Sequence, residues 1–253
     1  MTTLTPDAAG RAAAALLDAR LHRRWLRGLP DGCVPQTCDD AFAIQQRVAD
    51  RLGPVAGFKA GVDRASPVFA SALHASSAGV PAAAMRMFGV EMEFGFSFAR
   101  DLPPRSAPYE ESEVVDAVAA VHAAIEIVES RFVDLDSVDE LSKLADNGSN
   151  EGIVIGSAYA DWRAVDLTQV QGRLLIDGKE AGRAVGGKRG RQSMPNLLWL
   201  VNNLASRYGG IRRGQFAITG SFTGIALAHA GATVVADLGS LGQATLVYET
   251  ASR

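Results

Sequence analysis

Cysteine is scarce in this chain of 253 residues, which has only Cys33 and Cys38. Two thiols cannot build a disulfide framework, and a structural zinc site would need a second pair of ligands, so both are excluded and a reducing, cytoplasmic setting is expected. An excess of one charge is also lacking. The formal net charge is −3, and one compact basic cluster, Lys188, Arg189 and Arg191, has no aromatic residues interleaved, so nucleic acid is not expected as a partner. No apolar run approaches the ~18 residues of a membrane span, and the opening MTTLTPDAAG has neither the basic nor the apolar segment of an export signal, so no membrane association is expected. Also missing are a G-x-G-x-x-G that follows a strand, a Walker A sequence and a G-x-S-x-G elbow; GSFTG places its serine one position early. Dinucleotide and P-loop chemistry are disfavoured, and a serine triad is left without support. His22, His74, His122 and His229 are far apart and show no metal-ligand pair spacing, so each alone reads as structural or surface.

What is present is an ordinary globular composition, 47% hydrophobic and 21% charged, long enough for one large domain over residues 1–253. Residues 1–53 form a helical region. Ala12 to Leu26 has helical spacing, and after a Gly/Pro-bearing loop Thr37, Asp39 and Asp40 suit the start of a second helix that Gly53 and Pro54 end. From GFKAG onward, residues 54–253 read as a β-rich core of short Val/Phe/Ile segments separated by Gly, Asp and Asn. Two helices are expected within it. One runs from Ser112 to about His122, and one starts at Pro195 with Leu197, Leu198, Val201 and Leu204 on one face and Gly209 and Gly210 as the stop. The last strands form a hairpin around Gly239 to Gly242.

The chemistry is carried by carboxylates. In FGVEMEFGFSF, residues 88–98, strand alternation sends Met92, Phe94 and Phe96 to one face and Glu91 and Glu93 to the other, roughly 7 Å apart along the strand. A solvated acidic face would explain the pattern, and so would half of a metal site. In HAAIEIVESR, Glu126 lies between Ile125 and Ile127; a carboxylate in such surroundings needs a partner, either Arg131 or a lysine in a structural pair or a bound cation, and Glu129 competes with it as the functional acid. Three glutamates would suit a hard cation, Mg²⁺ or Mn²⁺, with positions left for water and a chelating 2-oxo acid. In GFKAG, Lys59 stands between small residues. It is either a snorkelling strand lysine or, with its pKa lowered by burial, an acid/base.

In order, GFKAG, VEMEFGFSF, IEIVESR, ADNGSNEGIVIG and AITGSFTG resemble the fumarylacetoacetate hydrolase superfamily, in its branch of 2-keto-4-pentenoate hydratases and 4-oxalocrotonate decarboxylases. The resemblance spans nearly the whole chain. It implies an α+β fold, a mixed β-roll with an N-terminal helical region, and a homo-oligomer. It implies metal ligands at Glu91, Glu93 and Glu126, with Mg²⁺ or Mn²⁺ bound, and a catalytic acid/base at Lys59. Ser221 and Asn147 are implied as substrate-binding. The implied activity is a metal-dependent hydro-lyase acting on small 2-oxo or 2-hydroxydienoic acids from aromatic catabolism. The alternatives are a decarboxylase of 2-oxo-enedioates and a non-catalytic binding protein that kept the fold. One departure bears on mechanism: SPVFASALHASSAG has no carboxylate where hydratases of this branch usually carry one, and His74 is the nearest ionisable group.

Overall fold

The computed structural model describes residues 3–61, 64–186, 193–203 and 205–250; Lys188, Arg189, Arg191 and Leu204 lie outside the described residues. Helix α1 (Pro6–His22) begins where the Thr5 hydroxyl accepts from the Ala8 N–H. It stops short of the expected Leu26, because Arg23 turns left-handed. Leu26 instead pairs in parallel with Phe132, exchanging backbone hydrogen bonds with Arg131 and Val133, so a tertiary contact outweighs local helical spacing. Helix α2 (Cys38–Leu52) starts as expected, with Thr37 and Asp40 capping each other's backbone N–H. The two helices enclose a small core of their own, including Leu16, Ile44, Phe132 and Leu144.

The remainder is built from β1 (Val55–Gly61), β2 (Arg64–Phe69), β3 (Leu73–Ala75), β4 (Ala78–Pro81), β5 (Gly89–Phe98), α3 (Glu111–Ala117), β6 (Val118–Val128), α4 (Glu140–Ala145), β7 (Asn150–Ile155), β8 (Gln171–Ile176), β9 (Lys179–Val185), α5 (Ser193–Asn203), β10 (Phe216–Ile218), β11 (Ala226–Leu227), β12 (Thr233–Asp237) and β13 (Gln243–Glu249). One mixed sheet has the order β2-β1-β10-β5-β6-β7-β3, with β11 added beside β5; the second has the order β4-β13-β12-β8-β9. The fold is therefore α+β with two mixed sheets and few helices, as expected. Helix α3 ends at Ala117, so His122 lies on a strand and not on the helix expected to reach it. The reason is pairing. From Val118 onward β6 runs antiparallel along the length of β5, and its Val- and Ile-bearing sequence suits a ladder better than an isolated helical turn. Helix α5 begins at Ser193, before Pro195, and a single 3-10 turn, Ala205–Tyr208, separates it from Gly209. The β12–β13 hairpin closes at Asp237 and Gln243.

The main core fills the space between the sheets. Met92, Phe94 and Phe96 of β5 and Ile125 and Ile127 of β6 meet Leu174, Val234, Leu246 and Tyr248 of the second sheet. Alternation then turns Glu91, Glu93 and Glu126 to the opposite face of the first sheet.

Candidate metal centre

The β5–β6 register sets Glu91 directly opposite Glu126 and Glu93 opposite Ala124. Like charges placed opposite each other on one face destabilise a sheet, so this register is unfavourable unless something positive joins it. Glu91, Glu93 and Glu126 each offer an oxygen within 4.8 Å of the others. Glu126 is fully buried and Glu93 is 2% exposed. Glu126 Oε1 accepts from Lys59 Nζ (2.5 Å) and Asn150 Nδ2 (3.0 Å), while its Oε2 is buried with no hydrogen-bond partner. Glu93 Oε2 accepts from the Gly220 N–H at 2.7 Å. A buried carboxylate oxygen without a donor is costly, and an all-oxygen donor set with one orphaned atom fits a hard divalent cation such as Mg²⁺.

Geometry also separates the two acids that spacing left open. Glu129 is consumed by backbone, accepting from the N–H groups of Arg86 (2.6 Å) and Met87 (2.7 Å). Glu126 takes Lys59 as its cationic partner, whereas Arg131 pairs with Asp146 and Glu151.

Lys59 comes from β1, which pairs in parallel with β10, itself beside β5. Its Nζ donates to Glu126 Oε1 and to the Gly148 carbonyl (2.9 Å), and its side chain is 20% exposed. The sequence expectation of a lowered lysine pKa is corrected here. Burial does pull it down, but Glu126, Glu91 and Glu93 outweigh burial and raise it. Glu93 is pushed well above the usual carboxylate range by burial and by Glu126 and Glu91, with Lys59 and the Gly220 N–H opposing. Three carboxylates gathered around a single lysine contribute to both shifts, with burial adding to that of Glu93 and opposing that of Lys59.

A cavity of about 380 Å³ opens above this group, lined by Lys59, Ser66, Glu91, Val128, Gly148 and Ser149 among others; that size suits a small acid. Asn147 and Ser221 do not line it. Asn147 Nδ2 donates to the Pro67 carbonyl (2.9 Å), tying β2 to the wall of the cavity. The Ser221 hydroxyl accepts from the Gly224 N–H (2.8 Å), closing the turn whose Gly220 holds Glu93. His74 lines a different cavity, beside Arg20 and Glu151. Three contributors were not singled out from the sequence: the Gly148 carbonyl, Asn150, and Gln45, whose Nε2 donates to Ser66 Oγ (2.9 Å) beneath the cavity. Gly148 and Asn150 belong to the quoted ADNGSNEGIVIG, which was the signal for them. Gln45 had none beyond its place on the buried side of α2.

No protein-family model matches the chain. It is 27% identical over 253 residues to the 2-keto-4-pentenoate hydratase of Burkholderia vietnamiensis strain G4, covering 93% of this chain and 95% of that protein. A protein of the same name from Paraburkholderia phymatum is 27% identical over 247 residues, with 91% and 93% covered. Among solved structures, 4-oxalocrotonate decarboxylase from Pseudomonas putida G7, complexed with magnesium and adipate, is similar at a TM-score of 0.87 and 19% identity, covering 98% of this chain and all (100%) of that one. A Yersinia pestis CO92 protein described as of the fumarylacetoacetate hydrolase family is similar at a TM-score of 0.54 and 15% identity, covering 77% and 93%.

Proposed function

We propose that this chain belongs to the fumarylacetoacetate hydrolase superfamily, in the branch of 2-keto-4-pentenoate hydratases and 4-oxalocrotonate decarboxylases, and that it hydrates 2-hydroxy-dienoates to 4-hydroxy-2-oxo acids; its likeness to two 2-keto-4-pentenoate hydratases over most of its length supports this reading. The observation that carries the proposal is the orphaned, buried Glu126 Oε2 among three converging carboxylates, with Lys59 lining a cavity of small-acid size. Glu91, Glu93 and Glu126 would hold Mg²⁺ or Mn²⁺. When bound, the cation supplies Lewis-acid polarisation of a 2-oxo acid's keto oxygen and offsets the carboxylate charge that otherwise keeps Lys59 protonated.

The chain's own residues do the rest. Lys59 Nζ is placed to exchange protons with the substrate. Ketonisation of 2-hydroxypenta-2,4-dienoate removes the 2-hydroxyl proton and adds one at C5, leaving a C3–C4 double bond conjugated to the keto group. Water then adds its oxygen at C4 and a proton at C3. The Gly148 carbonyl and Glu126 hold the ammonium group in place, and Val128, Leu144 and Ile225 give the cavity an apolar lining for the hydrocarbon part of the substrate. Ser221 and Asn147 serve the site by holding the turns that frame it. The 1–53 helical region and the 54–253 core act as one domain, in a cytoplasmic homo-oligomer that serves aromatic catabolism. Among the described residues, no helix is long and apolar enough to cross a membrane.

A second reading, decarboxylation of a 2-oxo-enedioate, is favoured by the segment that contains His74, which brings no acid to the cavity over Lys59. One set of assays separates the readings. Protein with Mg²⁺ is expected to convert 2-hydroxypenta-2,4-dienoate to 4-hydroxy-2-oxopentanoate, followed by NMR. Consumption without that product ends the hydratase reading, and CO₂ release from 2-oxohex-3-enedioate establishes the decarboxylase. Binding of Mn²⁺ and oxalate with turnover of neither substrate would identify a binding protein instead, and no Mn²⁺ binding at all would sink the metal centre.

A further inference from the structure

A second cavity, of about 370 Å³, lies between the helical region and the first sheet and shares no lining residue with the one over Lys59. Its polar residues include Arg20, Arg23 and Glu151, and most of its wall is apolar, with Leu52, Phe69 and Val80 among the contributors. The charges there do not balance. Arg20, Arg23 and Arg131 all converge on the one carboxylate of Glu151, at 3.6, 2.8 and 2.7 Å. Asp146 answers Arg131 on the far side. Glu129 also faces Arg131, so Arg131 is answered on its far side, and on the cavity wall itself Arg20 and Arg23 are left to share the one carboxylate of Glu151, with Arg20 and Glu151 side chains no more than 11% exposed.

Arg20 bears most of the imbalance. It has the longest contact to Glu151, and its short hydrogen bond, 2.5 Å, goes to the neutral carbonyl of Asn150. Burial and the neighbouring Arg131 lower its pKa to about 10. His74, also on the wall, is held toward its neutral form by burial and adds no standing charge. Guanidinium groups present paired N–H donors that match a carboxylate. The aliphatic and aromatic wall beside them would be left in water by a bare inorganic anion, and Leu21 at the margin is 59% exposed.

We propose that this cavity is a binding site for a small monocarboxylate with an apolar body, its carboxylate facing Arg20 and Arg23 and its hydrocarbon part lying against Leu52, Phe69 and Val80. The site is separate from the metal centre and goes beyond the lyase reading. It does not need that reading to be right.

The probe is hexanoate, titrated calorimetrically into the full-length protein with and without Mg²⁺ and oxalate. Hexanoate is expected to bind in both conditions, and hexanamide, equal in shape but uncharged, at least about tenfold more weakly, as loss of a charge-assisted hydrogen bond implies. Arg23→Gln should weaken hexanoate by a similar factor. Arg20→Gln removes a more buried group and tests folding as well, so Ala84→Phe, which fills the cavity and leaves both arginines in place, is the decisive variant. It should abolish hexanoate binding while the cooperative thermal transition of the parent is kept. Binding that disappears whenever oxalate is present, that hexanamide matches, or that survives both Ala84→Phe and Arg23→Gln would overturn the proposal.

Discussion

Glu93 carries the largest electrostatic burden in the molecule's candidate centre. It is 2% exposed, faces two other carboxylates, and has the Gly220 N–H as one fixed donor. Without a cation such a group lowers stability, because burial of charge is costly and the like charges repel. Glu93→Gln is therefore expected to have opposite effects on stability and binding. In EDTA the variant should melt higher than the parent by calorimetry, while its Mn²⁺ affinity falls on the order of 100-fold or more in an isothermal titration. A lower melting temperature together with unchanged Mn²⁺ affinity would show that Glu93 is a structural acid. At this scale the sequence was informative about residue type. The apolar neighbours of Glu126 announced a carboxylate in need of a partner, but the partner itself, Lys59, is far away in sequence, and only the β1–β10–β5–β6 arrangement brings it near.

The element that shapes the cavity is the turn between α4 and β7. Asn147, Gly148 and Ser149 all have positive φ, at 57°, 58° and 60°. For Asn147 and Ser149 this region costs on the order of 1–3 kcal/mol each, so the turn persists only because its surroundings hold it. The hold is the buried Arg131, whose Nε donates to Asp146 Oδ1 (2.5 Å), whose NH2 group donates to the Asp146 carbonyl (3.0 Å) and whose NH1 group donates to Glu151 (2.7 Å). The result is delivered to the centre twice, as the Gly148 carbonyl on Lys59 and as Asn150 Nδ2 on Glu126. Arg131→Met would leave Asp146 buried without its cation, and should cost about 3–5 kcal/mol in denaturant unfolding. Turnover should fall as well under conditions where the variant is still folded. Full activity in the folded variant would show that the turn does not position Lys59. The Ser-Arg of IEIVESR was visible in the sequence, and it offered Arg131 as a partner for Glu126. Its true partners lie in ADNGSNEG, and the strained turn between them has no local pattern that could announce it.

Across the whole molecule, acid stability should be set partly by His122. Its ring lies on β6, with Nε2 at 2.9 Å from Ser97 Oγ and Nδ1 at 3.0 Å from the Gly156 carbonyl, and burial lowers its pKa. Burial lowers His74 as well. A histidine depressed in the folded state binds its proton more readily when unfolded, so the stability it contributes is present above about pH 6.5 and is lost as pH falls through that value toward the folded pKa. His229, raised by the Ala230 carbonyl and Asp177, has the opposite sign, but it is well exposed and screened. Protonation of Glu93, whose pKa is raised, acts in the opposite sense, so the expectation rests on the comparison: between about pH 7 and pH 5.5 His122→Gln should lose less melting temperature than the parent in calorimetric scans. An unchanged slope in the variant would assign the acid sensitivity to other groups.

Local pattern by itself determined the helical N-terminal region with its Thr37 cap, the β-rich remainder, the alternation that separates Met92, Phe94 and Phe96 from Glu91 and Glu93, and the presence of a glutamate among apolar residues that needs a partner, while the family resemblance implied which acids and which lysine belong together. These follow from side-chain period, capping chemistry and the cost of burying charge, all of which operate over a few residues. Between Glu126 and Glu129, which spacing left open and the family resemblance resolved to Glu126, tertiary structure supplied the physical reason, and it alone decided that the carboxylates raise the Lys59 pKa, that α1 stops at His22 and α3 at Ala117, and that Arg131 braces a left-handed turn. Each of these depends on which strands pair and in what register, and that is set by burying one continuous core between the two sheets.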